Sequence, residues 1–153
     1  MRMFLGAAVG LAAFIAASAH PGTGAVAAAR VAPADTGALA ARLTGTWSGH
    51  RADSTSTKAQ PFTMTWKQAP DGEMTGRVAI TQGPSYTTRV VWSSDTAFIT
   101  ESAPHKSDEL KESVVTRTVT HFKGDSLVGQ FEMRPTSFKG HTLTGHFAAT
   151  RKS

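Results

Sequence analysis

The chain has 153 residues, no cysteine, three tryptophans and a formal net charge of +5. Without cysteine, neither disulfides nor thiolate metal sites can hold it together, so its fold must rest on packing. Its basic residues are dispersed (Arg51, Lys58, Lys67, Arg77, Arg89, Arg117, Arg134, Lys139) and form no dense or aromatic-interleaved stripe, which argues against nucleic acid as a partner.

The first segment is MRMFLGAAVGLAAFIAASAHPG. Arg2 serves as a short positive start, Met3 to Ala17 as an apolar stretch, and Ala17-Ser18-Ala19 as a small-x-small cleavage pattern. Residues 1–19 are therefore expected to be a signal peptide removed near Ala19, with the mature chain periplasmic or secreted. An apolar run of about 15 residues is shorter than the roughly 20 that span a bilayer, so no membrane span is expected after cleavage. No cysteine follows it to carry a lipid. Residues 20–42, rich in Ala, Gly and Pro, predict a flexible linker, with a short helix over Gly37–Arg42 capped by Asp35 or Thr36.

From Leu43 the hydrophobic period is two. In PFTMTWKQ the side chains of Phe62, Met64 and Trp66 share one face, the pattern of a strand with one buried side. APDGE is a hairpin turn, EMTGRVAIT the next strand, QGPS a turn, YTTRVVW a strand, SSDT a turn and AFITES a strand. A longer polar connection, APHKSDELK, leads to the Val/Thr-rich ESVVTRTVTHF, then KGDS, LVGQFEMR, PTSFKG and a final HTLTGHFAATR. With LTGTWSGHR at the front, these segments predict an all-β domain over 43–151. Its expected form is an eight-stranded antiparallel up-and-down (meander) β-barrel, closed so that no edge is left to pair with other chains.

Four segments echo one another: LTGTW (43–47), MTGRV (74–78), LVGQF (127–131) and LTGHF (143–147). In each, the apolar first residue, the glycine and the bulky last residue share parity, which sets Gly45, Gly76, Gly129 and Gly145 on the inward face. Such glycines let a strand bend as a barrel wall must, or they leave space for a ligand.

Gly-x-Trp on a first strand resembles the opening of the calycins, the group of lipocalins, fatty-acid-binding proteins and avidins. GTWSG also resembles the start of nitrobindin-like haem barrels, and the layout GTWSG, DGEMTG, GDSLVG, LTGHFAATR is similar to exported bacterial lipocalin-like domains. The calycin resemblance implies that Trp47 packs across the closed end of the barrel near a basic residue of the last strands, here Arg151. No residues match the biotin set of avidins or the haem histidine of nitrobindins, and no cofactor is expected.

Of the histidines, parity turns His50, His121 and His146 outward. His50 and His146 would be neighbours if the first and last strands pair, but no third ligand at suitable spacing accompanies them, and no metal site is expected. The chain has no Gly-x-Ser-x-Gly elbow, His-Glu-x-x-His helix or phosphate loop, and no catalytic residue is assigned. The nearest thing to an acid/base pair is Glu101 with His105 at the barrel mouth.

The candidate ligand-binding set is Trp47, Phe62, Trp66, Tyr86, Arg89, Trp92 and Arg117: aromatic residues that line an apolar cup or fill the core, with an arginine for an acid group. Two functions follow from different classes. One is a non-enzymatic binding module for a small apolar or amphiphilic ligand. The other is a solid barrel acting through its surface, with the loop Ser102–Lys111 as the face for an envelope protein or an inhibited enzyme.

Overall fold

A computed structural model describes residues 36–153 apart from 57, 138 and 139; the expected signal peptide and most of the linker lie outside the described residues. Helix α1 (Thr36–Leu43) leads into β1 (Gly45–Asp53), β2 (Gln60–Gln68), β3 (Met74–Ile80), β4 (Ser85–Ser93) and β5 (Ala97–Ser102). A two-residue strand β6 (His105–Lys106) interrupts the long connection, and β7 (Ser113–Lys123), β8 (Ser126–Pro135) and β9 (Leu143–Arg151) follow. All neighbours are antiparallel. β1 pairs with β9 and β5 with β7, so eight strands close into a meander barrel, while β6 adds to the stretch of β7 that β5 does not reach.

The alternation in sequence becomes the wall. Phe62, Met64 and Trp66 are buried on β2, as are Met74, Val78 and Ile80 on β3 and Leu127, Phe131 and Met133 on β8. The outward positions carry charge instead. Pairings place Arg89 opposite Glu101, Glu101 opposite Arg117, and Arg117 opposite Glu132, an alternating cross-strand row on the outer surface. Such a charged row is unlike the apolar outer band of a lipid-facing barrel.

The echoed glycines leave no hole. A Cβ on Gly76 would lie 2.7 Å from the Trp66 ring, one on Gly129 2.7 Å from the Phe147 ring, and one on Gly145 2.3 Å from the Phe131 ring. Each ring belongs to the residue directly across the ladder from its glycine. Large rings thus fold over small neighbours, and the space surrendered by glycine is filled by the adjacent strand. Gly45 differs from the other three. It has φ +122° and makes the turn from α1 into β1, so the first echo begins in the helix and not on the strand.

Both ends are plugged. At one end α1 lays Leu39, Ala40 and Leu43 on the core, spaced to fall on one helical face. Burying Leu43 completely contributes about 2 kcal/mol. The carbonyls at the end of this short helix have no intrahelical partner and are met by side chains. Trp47 Nε1 donates to Leu43 O at 2.9 Å, and the Arg151 guanidinium donates to the carbonyls of Arg42 and Thr44 while lying 4.5 Å over the Trp47 ring. Arg42 in turn sits 3.9 Å over Phe122. The loop containing β6 covers the opposite end.

Candidate functional site

Inside the barrel the wall has two chemical halves. Phe62, Met64 and Trp66 on β2, with Phe131 on β8 and Phe147 on β9, give one apolar side; Thr88, Thr100, Thr116, Thr118 and Thr120, from β4, β5 and β7, give a side of hydroxyls. The hydroxyl side arises because TRTVT on β7 alternates Thr inward with Arg117 and Val119 outward, facing Thr100 on β5. Thr100 Oγ1 lies 2.6 Å from Thr118 Oγ1, which lies 3.5 Å from Thr120 Oγ1. The chamber between the halves is partly open and has a volume of about 30 Å³, room for one or two waters. Trp66 lines it, and its buried indole Nε1 has no hydrogen-bond partner.

At the mouth sits a buried arginine, Arg51, only 6% exposed. It reaches inward because β1 keeps the parity of Trp47 and Gly49. Its Nε donates to Gln60 Oε1 at 3.0 Å, a terminal nitrogen pairs with Glu109 Oε1, and the guanidinium stands 5.4 Å over the Phe131 ring. The other oxygen of Glu109 accepts from Ser107 Oγ at 3.0 Å. Ser107 also caps the loop, accepting from Leu110 N at 3.1 Å.

Beside this pair His105 stacks on Tyr86 with ring centroids 4.0 Å apart and planes at 14°. His105 Nδ1 is 3.1 Å from Ala103 O, which can only accept, so the proton is on Nδ1 and Nε2 faces Thr116 Oγ1 at 3.4 Å. Burial is the largest cause holding the His105 pKa below its ordinary value; the Arg51 charge pushes the same way, while the Ala103 carbonyl and Glu109 oppose it. Burial likewise raises the Tyr86 phenol above its usual value, against Arg51 and a hydrogen bond with Thr116.

The sequence-predicted residues divide into three groups. Phe62, Trp66 and Tyr86 meet at the chamber. Trp47 is at the plugged end, bonded to the helix. Arg89 and Arg117 are exposed on the outer charged row, and Trp92, 39% exposed, is turned outward by a β-bulge between Val90 and Trp92. That bulge shifts parity within β4, which is why Tyr86 and Trp92 lie on opposite faces. Glu101 is also outward, whereas His105 is turned toward Tyr86, so the two do not meet as an acid/base pair. His50 and His146 are exposed on the paired strands β1 and β9, opposite Ala148 and Ala52 respectively. Among the described residues no group of three or more His, Asp or Glu could hold a metal ion.

Arg51, Glu109 and the inward threonines were the residues missed. Parity alone marks Arg51 as inward, two residues on from Gly49 and four from Trp47. The threonines share the face of Val114 and Phe122. Glu109 carries no such signal, since it lies in a loop.

No protein-family model matches the chain, and no curated protein matches it. Among solved structures, a redesigned beta barrel is similar at 14% identity, covering 74% of this chain and 95% of that one with a TM-score of 0.45.

Proposed function

We propose that this protein is an exported, non-enzymatic, calycin-like binding module for a small amphiphilic ligand, held inside the barrel between the aromatic and the hydroxyl wall. One observation carries this: five threonines of β4, β5 and β7 line the chamber, where a barrel that merely filled itself would hold valine. Burying a hydroxyl costs free energy unless it is hydrogen-bonded, and Thr100, Thr118 and Thr120 meet that need by bonding to one another. Trp66, whose buried Nε1 has no partner, lines the same chamber. A ligand with an apolar body and polar edge would satisfy both halves. Support for the calycin likeness comes from the Trp47–Arg151 contact at the plugged end, and for export from Arg2, the apolar Met3–Ala17 stretch and Ala17-Ser18-Ala19.

Native mass spectrometry of protein purified from its own envelope tests this reading. A co-purifying small molecule, lost on unfolding, is expected. Protein of bare-chain mass that also takes up no amphiphile from a panel would overturn it.

A second reading is favoured by the volume of about 30 Å³, which holds no ligand until something moves aside. In that case the barrel is solid and acts through its outer face, where Trp92, Ile99 and Val119 form a cross-strand apolar row that would suit an envelope protein. Substituting Trp92 and Val119 by lysine should then abolish partner recovery; unchanged recovery would exclude that row. We take the first reading because the inward threonines set polar groups along one wall where valine would pack without needing partners.

A further inference from the structure

The loop between β5 and β7 does more than close the barrel. Arg51 is a buried cation lining the chamber, and its anionic partner Glu109 is not on the wall but on this loop. The ion pair is largely out of water, with side chains 7% and 18% exposed. Other contacts also hold the loop: Ala103 N donates to Thr87 O at 3.1 Å, His105 Nε2 lies 3.4 Å from Thr116 Oγ1, Ser137 Oγ donates to Glu112 Oε2 at 2.6 Å, and Leu110 packs against the core. β6 contributes two residue pairs, His105 with Val114 and Lys106 with Ser113. Ser107 N donates to Glu112 O at 2.9 Å, and His105 stacks on Tyr86. Lys111 has φ 58°, a left-handed conformation that a side-chain-bearing residue takes at a cost. The loop is therefore a strap held at its ends by backbone pairing and packing, and the Arg51–Glu109 ion pair is its charged contact with the chamber.

Resting on the binding reading above, we infer that the Glu109 carboxylate is an internal stand-in for the acid group of the ligand, so that a ligand carboxylate and the loop compete for Arg51. When the strap lifts, two things happen together: the mouth opens, and the Arg51 charge loses its counter-ion in a poorly solvated site. A ligand carrying a carboxylate restores the charge balance and places its apolar body over Phe131, Phe62 and Phe147, beneath Arg51. A neutral ligand of the same shape leaves the arginine unpaired. The ligand class is thus an aromatic or aliphatic carboxylic acid, and Glu109, tethered at high effective concentration, sets the threshold it must exceed.

Benzoate and its neutral isostere benzamide test this, titrated into the full chain while the Trp66 indole N–H resonance and the amides of residues 105–112 are followed by NMR. The wild type should prefer benzoate, and Glu109→Gln should raise that preference by roughly tenfold or more, because the competitor has lost its charge. Each single substitution leaves one charge of the pair without its partner, so Glu109→Gln is used only once its amide spectrum matches the folded wild type. The double variant Arg51→Gln/Glu109→Gln keeps neutral hydrogen bonding and should bind the two probes equally. If Glu109→Gln tightens both probes alike, Glu109 is only a latch and the acid class is wrong, while the binding reading stands. If neither probe moves any interior resonance in the wild type or in Glu109→Gln, this inference falls, while the binding reading is decided separately by the native mass and the amphiphile panel.

Discussion

Replacing Thr100 and Thr118 by valine, singly and together, measures what the hydroxyl wall does for stability. Their oxygens are 2.6 Å apart and Thr100 is 2% exposed, so the bond lies in a poorly solvated interior. Either single substitution deletes a bond of about 1 kcal/mol and leaves the opposite hydroxyl short of a partner, for a loss of about 1–2 kcal/mol. In Thr100→Val the orphan is Thr118, left with the longer contact of 3.5 Å to Thr120. The double variant removes donor and acceptor together and adds buried methyl surface, so its stability should return to within about 0.5 kcal/mol of the wild type or exceed it. The coupling energy from the cycle is then about 2–4 kcal/mol. Urea unfolding followed by tryptophan fluorescence, with equal m-values across the four proteins, provides the measurement. Additive losses in the double variant would refute the reasoning, since they would mean that each hydroxyl is bonded independently elsewhere. If the binding reading holds, the double variant also gains stability at the expense of ligand affinity.

Gly129→Ala should cost about 1–3 kcal/mol, because the new methyl would sit 2.5 Å from Val119 O and 2.7 Å from the Phe147 ring; a urea midpoint unchanged from the wild type would contradict the ring-over-glycine packing. Arg151→Met should lower stability by about 1–2 kcal/mol by freeing the carbonyls of Arg42 and Thr44 and baring Trp47, and amide exchange should quicken first in α1. Because the folded pKa of His105 lies below 6.5, the unfolded chain takes up that proton first. Stability contributed by the neutral ring is present above pH 6.5 and falls as pH drops from there toward the lowered folded value. His105→Phe, which keeps a ring on Tyr86, should flatten that part of the pH–stability curve, and an unaltered slope would place the titration elsewhere.

A strict period of two is a local property, and it survives into the barrel almost unchanged. Phe62, Met64 and Trp66 turn inward in β2 as their spacing requires, and Pro70-Asp71-Gly72 makes the hairpin turn with Gly72 at φ +87°. The strand count was legible too, apart from β6, which exists only because β7 is longer than β5 and has unpaired backbone to offer. Three matters escaped local reasoning. The bulge in β4 flips parity between Tyr86 and Trp92, and it comes from how β4 registers on β5, not from a glycine or proline within the strand. The helix takes Leu43 from the first strand because the plugged end needs an apolar cover. Glu109 lies far from Arg51 in sequence, and the two meet only when the barrel brings the end of β1 beneath the β6 loop. Outside the bulged part of β4, alternation decided by itself which side chains face inward, since an unbulged strand needs nothing but its own pleat to sort them. Which inward side chains touch one another, and whether the glycines leave space, was decided only by closure of the barrel, which sets rings from neighbouring strands over Gly76, Gly129 and Gly145.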